Sequence, residues 1–212
     1  MGGLLALSRG IDRVNTIIGK SVAWLILLAI FVSAINAIIR KIFNTSSNAW
    51  LELQWYLYGA AFLLAAAYTL LENEHIRIDI VYGAWSRRTQ HWLDLIGHLF
   101  FLMPLVILTL VLVWPWLVES YERNMRSMNA GGLLLWPARA MLFAGFVLLF
   151  FQGISEIIKK IAVMRGLIDD PHPAFSQHAP LELDEELLKQ AGFDTERPGA
   201  TVTGKPAEGD RK

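Results

Sequence analysis

No cysteine occurs in the 212 residues, which excludes disulfides, thiol catalysis and any cysteine-ligated metal. There is also no HExxH pair, no Gly-rich phosphate loop and no Ser–His–Asp order built around a strained elbow. Net charge is absent too, since nineteen basic residues balance nineteen acidic ones. Catalysis finds no support in what remains, and no cofactor is called for. What the chain has in excess is apolar surface. The hydrophobic set makes up 54% of the residues, eight of them tryptophan, and the mean hydropathy is +0.41. A soluble domain of this size buries a core with less, so the excess requires a second apolar solvent.

That excess is concentrated in four runs, which place membrane spans at about 21–39, 49–71, 92–118 and 133–158. The third, 27 residues long, would reach roughly 40 Å as a helix, and tilt or kinks at Pro104 and Pro115 absorb the surplus. A cleaved leader would have a shorter apolar core and a small-residue cleavage site, so 21–39 reads as an uncleaved span. Ahead of it, Leu7, Ile11, Val14 and Ile18 recur at helical spacing, with Arg9, Asp12, Arg13 and Asn15 largely on the other side. This predicts an amphipathic helix over 1–20, lying on the membrane surface. Ile78, Val81, Tyr82 and Trp85 predict a short interfacial helix between the second and third spans, closed by Arg87 and Arg88. The expected fold is an all-α integral membrane protein of three parts. The amphipathic helix occupies 1–20, a four-helix membrane domain with its interfacial helix 21–166, and a mostly disordered acidic tail 167–212. Within the tail, Leu183, Leu187, Leu188 and Ala191, ended by Gly192, suit one short helix.

Charge is unevenly spread along this plan. Residues 167–212 hold ten acidic and five basic side chains, so residues 1–166 carry +5. Near the span ends, Arg9, Arg13, Lys20, Arg77, Arg87, Arg88, Lys159, Lys160 and Arg165 fall on one side. Arg40, Lys41, Arg123 and Arg126 fall on the other. The positive-inside rule then puts both termini in the cytoplasm.

Ionisable groups inside the spans are few. Glu52, Asp94, Arg139 and Glu156 all sit near span ends and read as interface anchors or ion-pair partners before any substrate role. His98 lies deeper and reads as an interhelical hydrogen-bond donor. A bis-histidine haem would need a second membrane-embedded histidine, and His75, His91, His172 and His178 fall in connections or tail. His75 and Asp79, four apart around Arg77, have the spacing of a proton relay or half a metal site. Their surroundings favour capping and pinning the interfacial helix. Trp50, Glu52 and Trp55 form an interfacial anchor at the start of the second span. Ala29, Ser33 and Ala37, and likewise Ala61, Ala65 and Thr69, are small residues spaced by four, a pattern that lets helices approach closely in lipid.

The second span and its exit, LELQWYLYGAAFLLAAAYTLLENEHIRIDI, resemble the small membrane subunit of the tripartite ATP-independent periplasmic (TRAP) transporters. The likeness continues through WLDLIGHLFFLMP, Gly131 and Gly132 with Pro137, and FQGISEIIKK, covering residues 24–160. The chain departs from the pattern at Met125, where an acidic residue is usual, and at Leu134, where a proline is. The resemblance implies a bacterial inner-membrane scaffold that holds a large permease subunit. That partner would carry the sites for an organic carboxylate and sodium, and a periplasmic binding protein would deliver the substrate. Arg123 and Arg126, in a connection expected on the periplasmic side, are candidate contacts for the binding protein. Two other readings compete: a small cytochrome or quinone-linked membrane anchor, and a stand-alone small channel. The first would show a haem absorption band. The second would need a polar face on each span, whereas these are mostly Leu, Ile, Phe and Ala. Membrane lipid is a partner on every reading, and nucleic acid on none.

Overall fold

The computed structural model describes residues 2–44, 47–73 and 85–169. Within them the chain forms α1 (Gly2–Phe43), α2 (Asn48–Leu71), α3 (Arg87–Ile96), a π-helical segment (Gly97–Leu102), α4 (Met103–Glu122) and α5 (Trp136–Met164). The segment expected as a separate surface helix at 1–20 is helical, but it is continuous with the first span. Its polar residues explain why. Ser8 and Asn15 are buried on the same line as Val22, Ala29 and Asn36, each seven residues from the next. Seven residues fall about 20° short of two full turns, so such a series forms one slowly drifting seam along a helix. Ser8, Asp12 and Asn15 therefore face a neighbouring helix, while Arg9, Arg13 and Lys20 stay exposed.

α2 packs along both α1 and α5, α4 packs on α5, and α1 also meets α5. The apolar centre of the α1–α2 contact is Ala29, Val32 and Leu57, flanked by Leu25 and Leu53. Between α2 and α5 the approach is close enough to require glycine: a Cβ on Gly145 would lie 2.8 Å from the Leu63 carbonyl oxygen. Because that obstacle is backbone, Gly145→Ala is expected to push the helices apart and cost about 1–3 kcal/mol. A lowered thermal unfolding midpoint of the detergent-purified chain is the readout.

Large apolar side chains point outward. Trp24, Phe62 and Phe101 are each more than 70% exposed, while Ala60, Ala61, Ala67 and Ala162 are buried. Small residues between helices and large ones outside is the distribution lipid favours, since hydrocarbon gives no drive to hide leucine or phenylalanine. Among the described residues, three helices are long and apolar enough to cross a membrane: Gly2–Phe43, Arg88–Glu122 and Trp136–Met164. At 42, 35 and 29 residues they reach about 63, 52 and 43 Å. α2 has 24 residues, about 36 Å of helix, but Asn48, Glu52, Gln54 and three tyrosines dilute its apolar run, and it is not among the three.

The third long helix begins earlier than expected. Ser86 accepts a hydrogen bond from the Thr89 amide and caps α3, so Arg87 and Arg88 open this helix. The π segment ahead of Pro104 has a direct cause. A proline has no N–H, and its ring presses on the carbonyl four residues back. In the wider π turn the Met103 amide reaches the His98 carbonyl, five residues back, which relieves that crowding. The interfacial-helix positions from 74 to 84, including His75, Arg77 and Asp79, lie outside the described residues, as does the tail from 170 onward.

Candidate functional site

Two polar constellations stand at opposite ends of the bundle. The first fastens the connection between α4 and α5. Residues 125–135 double back as a hairpin: Ser127 N–H donates to the Leu133 carbonyl and Leu135 N–H to the Met125 carbonyl, both at 2.9 Å, with Arg126 bridged to Leu134. Its tip demands glycine twice. Gly131 has a φ of +71°, and a Cβ on Gly132 would meet Ser127 Cβ at 2.5 Å. Glu52, one turn into α2, holds this hairpin. Its carboxylate accepts from the Ser127 hydroxyl, from Asn129 Nδ2 at 2.8 Å and from the Leu133 amide at 2.7 Å. Tyr56, one turn further on, donates to the Leu134 carbonyl at 3.1 Å, and Asn48 Nδ2 to the Ala130 carbonyl at 3.1 Å. Glu52, expected as a solvated anchor or the partner of a basic group, is thus a clamp on a loop nearly eighty residues away. Arg139 closes the other flank, its guanidinium 3.8 Å from the centre of the Trp116 ring and bonded to the Trp116 carbonyl at 3.0 Å.

The second constellation joins the start of α1 to the end of α5, and its hub is Gln152, which has no exposed surface. Gln152 Oε1 accepts from Asn15 Nδ2 at 2.6 Å. Its Nε2 donates to Asp12 at 3.0 Å and to Glu156 at 2.9 Å. The Ser8 and Ser155 hydroxyls are hydrogen-bonded to each other at 2.7 Å, and Ser155 donates to Asp12 at 2.8 Å. Lys159 lies between the two carboxylates, 3.2 Å from Asp12 and 2.5 Å from Glu156. Next to this cluster, Lys160 pairs with Asp94 of α3 at 2.8 Å, with both side chains about nine-tenths buried. Pairing is what makes these charges tolerable, since an isolated buried ion would cost several kcal/mol.

The remaining candidates separate by burial. Ala29 and Ala61 are buried, Ser33 and Ala65 half-buried, and Ala37 exposed. The geometry accounts for this. Steps of four residues advance 40° beyond a full turn, so a stripe through 29, 33 and 37 swings off the seam, whereas 22, 29 and 36 stay on it. Thr69 spends its hydroxyl on the Ala65 carbonyl, 3.1 Å away in the preceding turn. His98 Nδ1 lies 2.5 Å from the Asp94 carbonyl of its own helix. Trp50 and Trp55 are exposed, Arg123 pairs along its helix with Glu119 at 3.4 Å, and Arg126 is exposed on the hairpin. Sequence reading missed Ser8, Asn15, Gln152 and Ser155. A usable signal was present: Gln152, Ser155, Glu156 and Lys159 recur at i, i+3, i+4 and i+7, the period of one helix face, at the end of an otherwise apolar run.

These helices define a multi-pass membrane protein in which the two polar constellations tie helices and a loop to one another. Among the described residues, no group of three or more His, Asp or Glu side chains could hold a metal ion. The family model described as "Tripartite ATP-independent periplasmic transporters, DctQ component" matches residues 29–163. The chain belongs to this family: it is the small membrane component of a TRAP transporter, a multi-pass inner-membrane protein and not an enzyme. Members of the family function with a large membrane subunit and a binding protein. Comparison with curated proteins and with solved structures gives no match.

Proposed function

We propose that this chain is the fixed scaffold of its transporter: it holds the large permease subunit in the bilayer and helps dock a periplasmic binding protein. The cargo would be an organic carboxylate, and a sodium gradient would drive its uptake. The observation that carries the reading is where the buried charges lie. Asp12, Glu156 and Lys159, and Asp94 with Lys160, are gathered at one end of the bundle and satisfied by one another. The apolar lengths of the described helices between the two ends offer no chain of polar groups along which a charged solute could move. Transport therefore belongs to a partner, and this chain supplies framework.

On this reading α2 is the fourth span. It is long enough and packs on two helices that are themselves long and apolar enough to cross. The hairpin end faces the periplasm and both termini face the cytoplasm, following the distribution of Lys and Arg. The Glu52-clamped hairpin then presents Arg126 and the fully exposed Met128 to a binding protein, with Arg123 at its foot. Helix faces carrying Ala29, Ser33, Ala37, Ala61, Ala65, Thr69 and His98 supply packing within the chain or against the large subunit. Trp50, Glu52, Trp55, His75, Arg77 and Asp79 fix the depth of the second span. The test is co-expression with a large subunit and a binding protein of the same transporter family from the same organism. Affinity capture of this chain is expected to bring the large subunit with it, and deletion of this chain to abolish uptake. Uptake that persists at wild-type rate without the chain overturns the proposal.

A further inference from the structure

Beside the polar network, at the same end of the bundle, an open crevice separates the start of α3 from the end of α5. It is lined by Arg88, His91, Trp92 and Leu95 from α3, and by Ile161, Val163, Met164 and Arg165 from α5 and its cap. The two sides of its chemistry are distinct. Arg88 and Arg165 are exposed, and neither is paired with a carboxylate among the described residues. Lys159 and Lys160, one to two turns earlier on α5, are both consumed in ion pairs. The rest of the wall is largely apolar.

The setting adds a third element. Trp85 and Trp92 are both about half exposed at this level, the position of an indole belt where hydrocarbon gives way to headgroups. Arg88 also lies in the first turn of α3, where unpaired backbone N–H groups and the helix dipole favour an anion.

We propose that this crevice binds one anionic phospholipid, its phosphate between Arg88 and Arg165 and its acyl chains along Leu95 and Met164. The inference rests on the reading that α3–α4 and α5 span the bilayer. Guanidinium groups suit a phosphate because their paired N–H donors match its oxygens, and basic pockets between spanning helices are a recurring seat for such headgroups. A soluble anion would engage the arginines but leave the apolar wall exposed. An acidic peptide would meet the same wall with charged side chains. A phospholipid satisfies both parts.

The experiment is native mass spectrometry of the full chain released from detergent, titrated with phosphatidylglycerol and, separately, phosphatidylcholine. One phosphatidylglycerol adduct is expected at concentrations where phosphatidylcholine gives none. In the double variant Arg88→Ala/Arg165→Ala its affinity should fall about tenfold or more. Arg123→Ala/Arg126→Ala, which removes the same charge from the other end, should leave it unchanged. Circular dichroism and gel filtration check that both variants remain folded. Inorganic phosphate in millimolar excess should not displace the lipid. Equal binding of the two lipids, an unaffected Arg88/Arg165 variant, or displacement by free phosphate overturns the proposal. So does binding that appears only after residues 171–212 are removed, because the acidic tail would then be the natural occupant. None of these outcomes depends on capture of the large subunit, so failure here and failure of the scaffold reading are separable.

Discussion

Replacing Lys159 with methionine is expected to destabilise the bundle by about 3–5 kcal/mol, the range seen when one member of a buried ion pair is removed. Among the described residues its ammonium is the one cation between Asp12 and Glu156, and only about a tenth of its side chain is exposed. Without it, two carboxylates face one another across the Gln152 amide in a medium that screens them poorly. Substituting a carboxylate should be far milder. In Asp12→Asn the Oδ1 can still accept from Ser155 and Gln152, and the Lys159–Glu156 pair remains, so about 1 kcal/mol is expected. The triple change Lys159→Met, Asp12→Asn, Glu156→Gln removes the stranded charges and should recover most of the loss. Thermal unfolding of the detergent-purified variants, followed by tryptophan fluorescence and far-ultraviolet circular dichroism, measures all three. Equal effects of Lys159→Met and Asp12→Asn would show that the network is not a buried ion cluster.

Different parts of the molecule were legible in the sequence to very different degrees. The long apolar runs identify membrane helices because hydropathy acts locally: uncharged runs of sixteen to twenty-four residues require no knowledge of what lies beside them. Helix continuity is harder to read. Residues 1–20 have the pattern of a surface helix because that pattern records only that two faces differ. It does not record that the polar face of Ser8, Asp12 and Asn15 would find Gln152 and Ser155 some 140 residues away. The stripe on α5 announces a polar contact, yet its partner is invisible until the topology lays the start of α1 beside the end of α5. The beginning of α3 was displaced for a local reason, since an arginine pair is a common helix stop, while Ser86 supplies the actual start signal. Membership of the family was legible because order and spacing over four segments carry more information than any one motif. The clamp at Glu52 was not. A carboxylate bound by a backbone amide and two small polar side chains of a distant loop has no spacing to recognise.

Removing that clamp is expected to have the largest local effect in the protein. In Glu52→Ala the Leu133 amide, the Ser127 hydroxyl and the Asn129 amide lose their shared acceptor. Hydrogen bonds to an ionised acceptor are stronger than those between neutral groups. The hairpin retains the Tyr56 and Asn48 contacts to its far strand and tip, and water replaces part of what is lost, so the hairpin of residues 125–135 should open far more readily without unravelling altogether. Amide exchange at Ser127 and Leu135, whose hydrogen bonds close the hairpin, should accelerate about a hundredfold, while exchange in α5 beyond Gly145 stays unchanged. Glu52→Gln keeps one acceptor oxygen of the same shape but loses the charge and the second oxygen, and an intermediate acceleration of about tenfold is expected. The same pair of variants separates a structural role from a docking role. If the ordered hairpin is where a binding protein lands, uptake in cells should fall in the order wild type, Glu52→Gln, Glu52→Ala, with the amount of this chain in the membrane unchanged. Full uptake with a hundredfold looser hairpin would place docking elsewhere, and unchanged amide exchange in Glu52→Ala would show that the loop's own turns hold it.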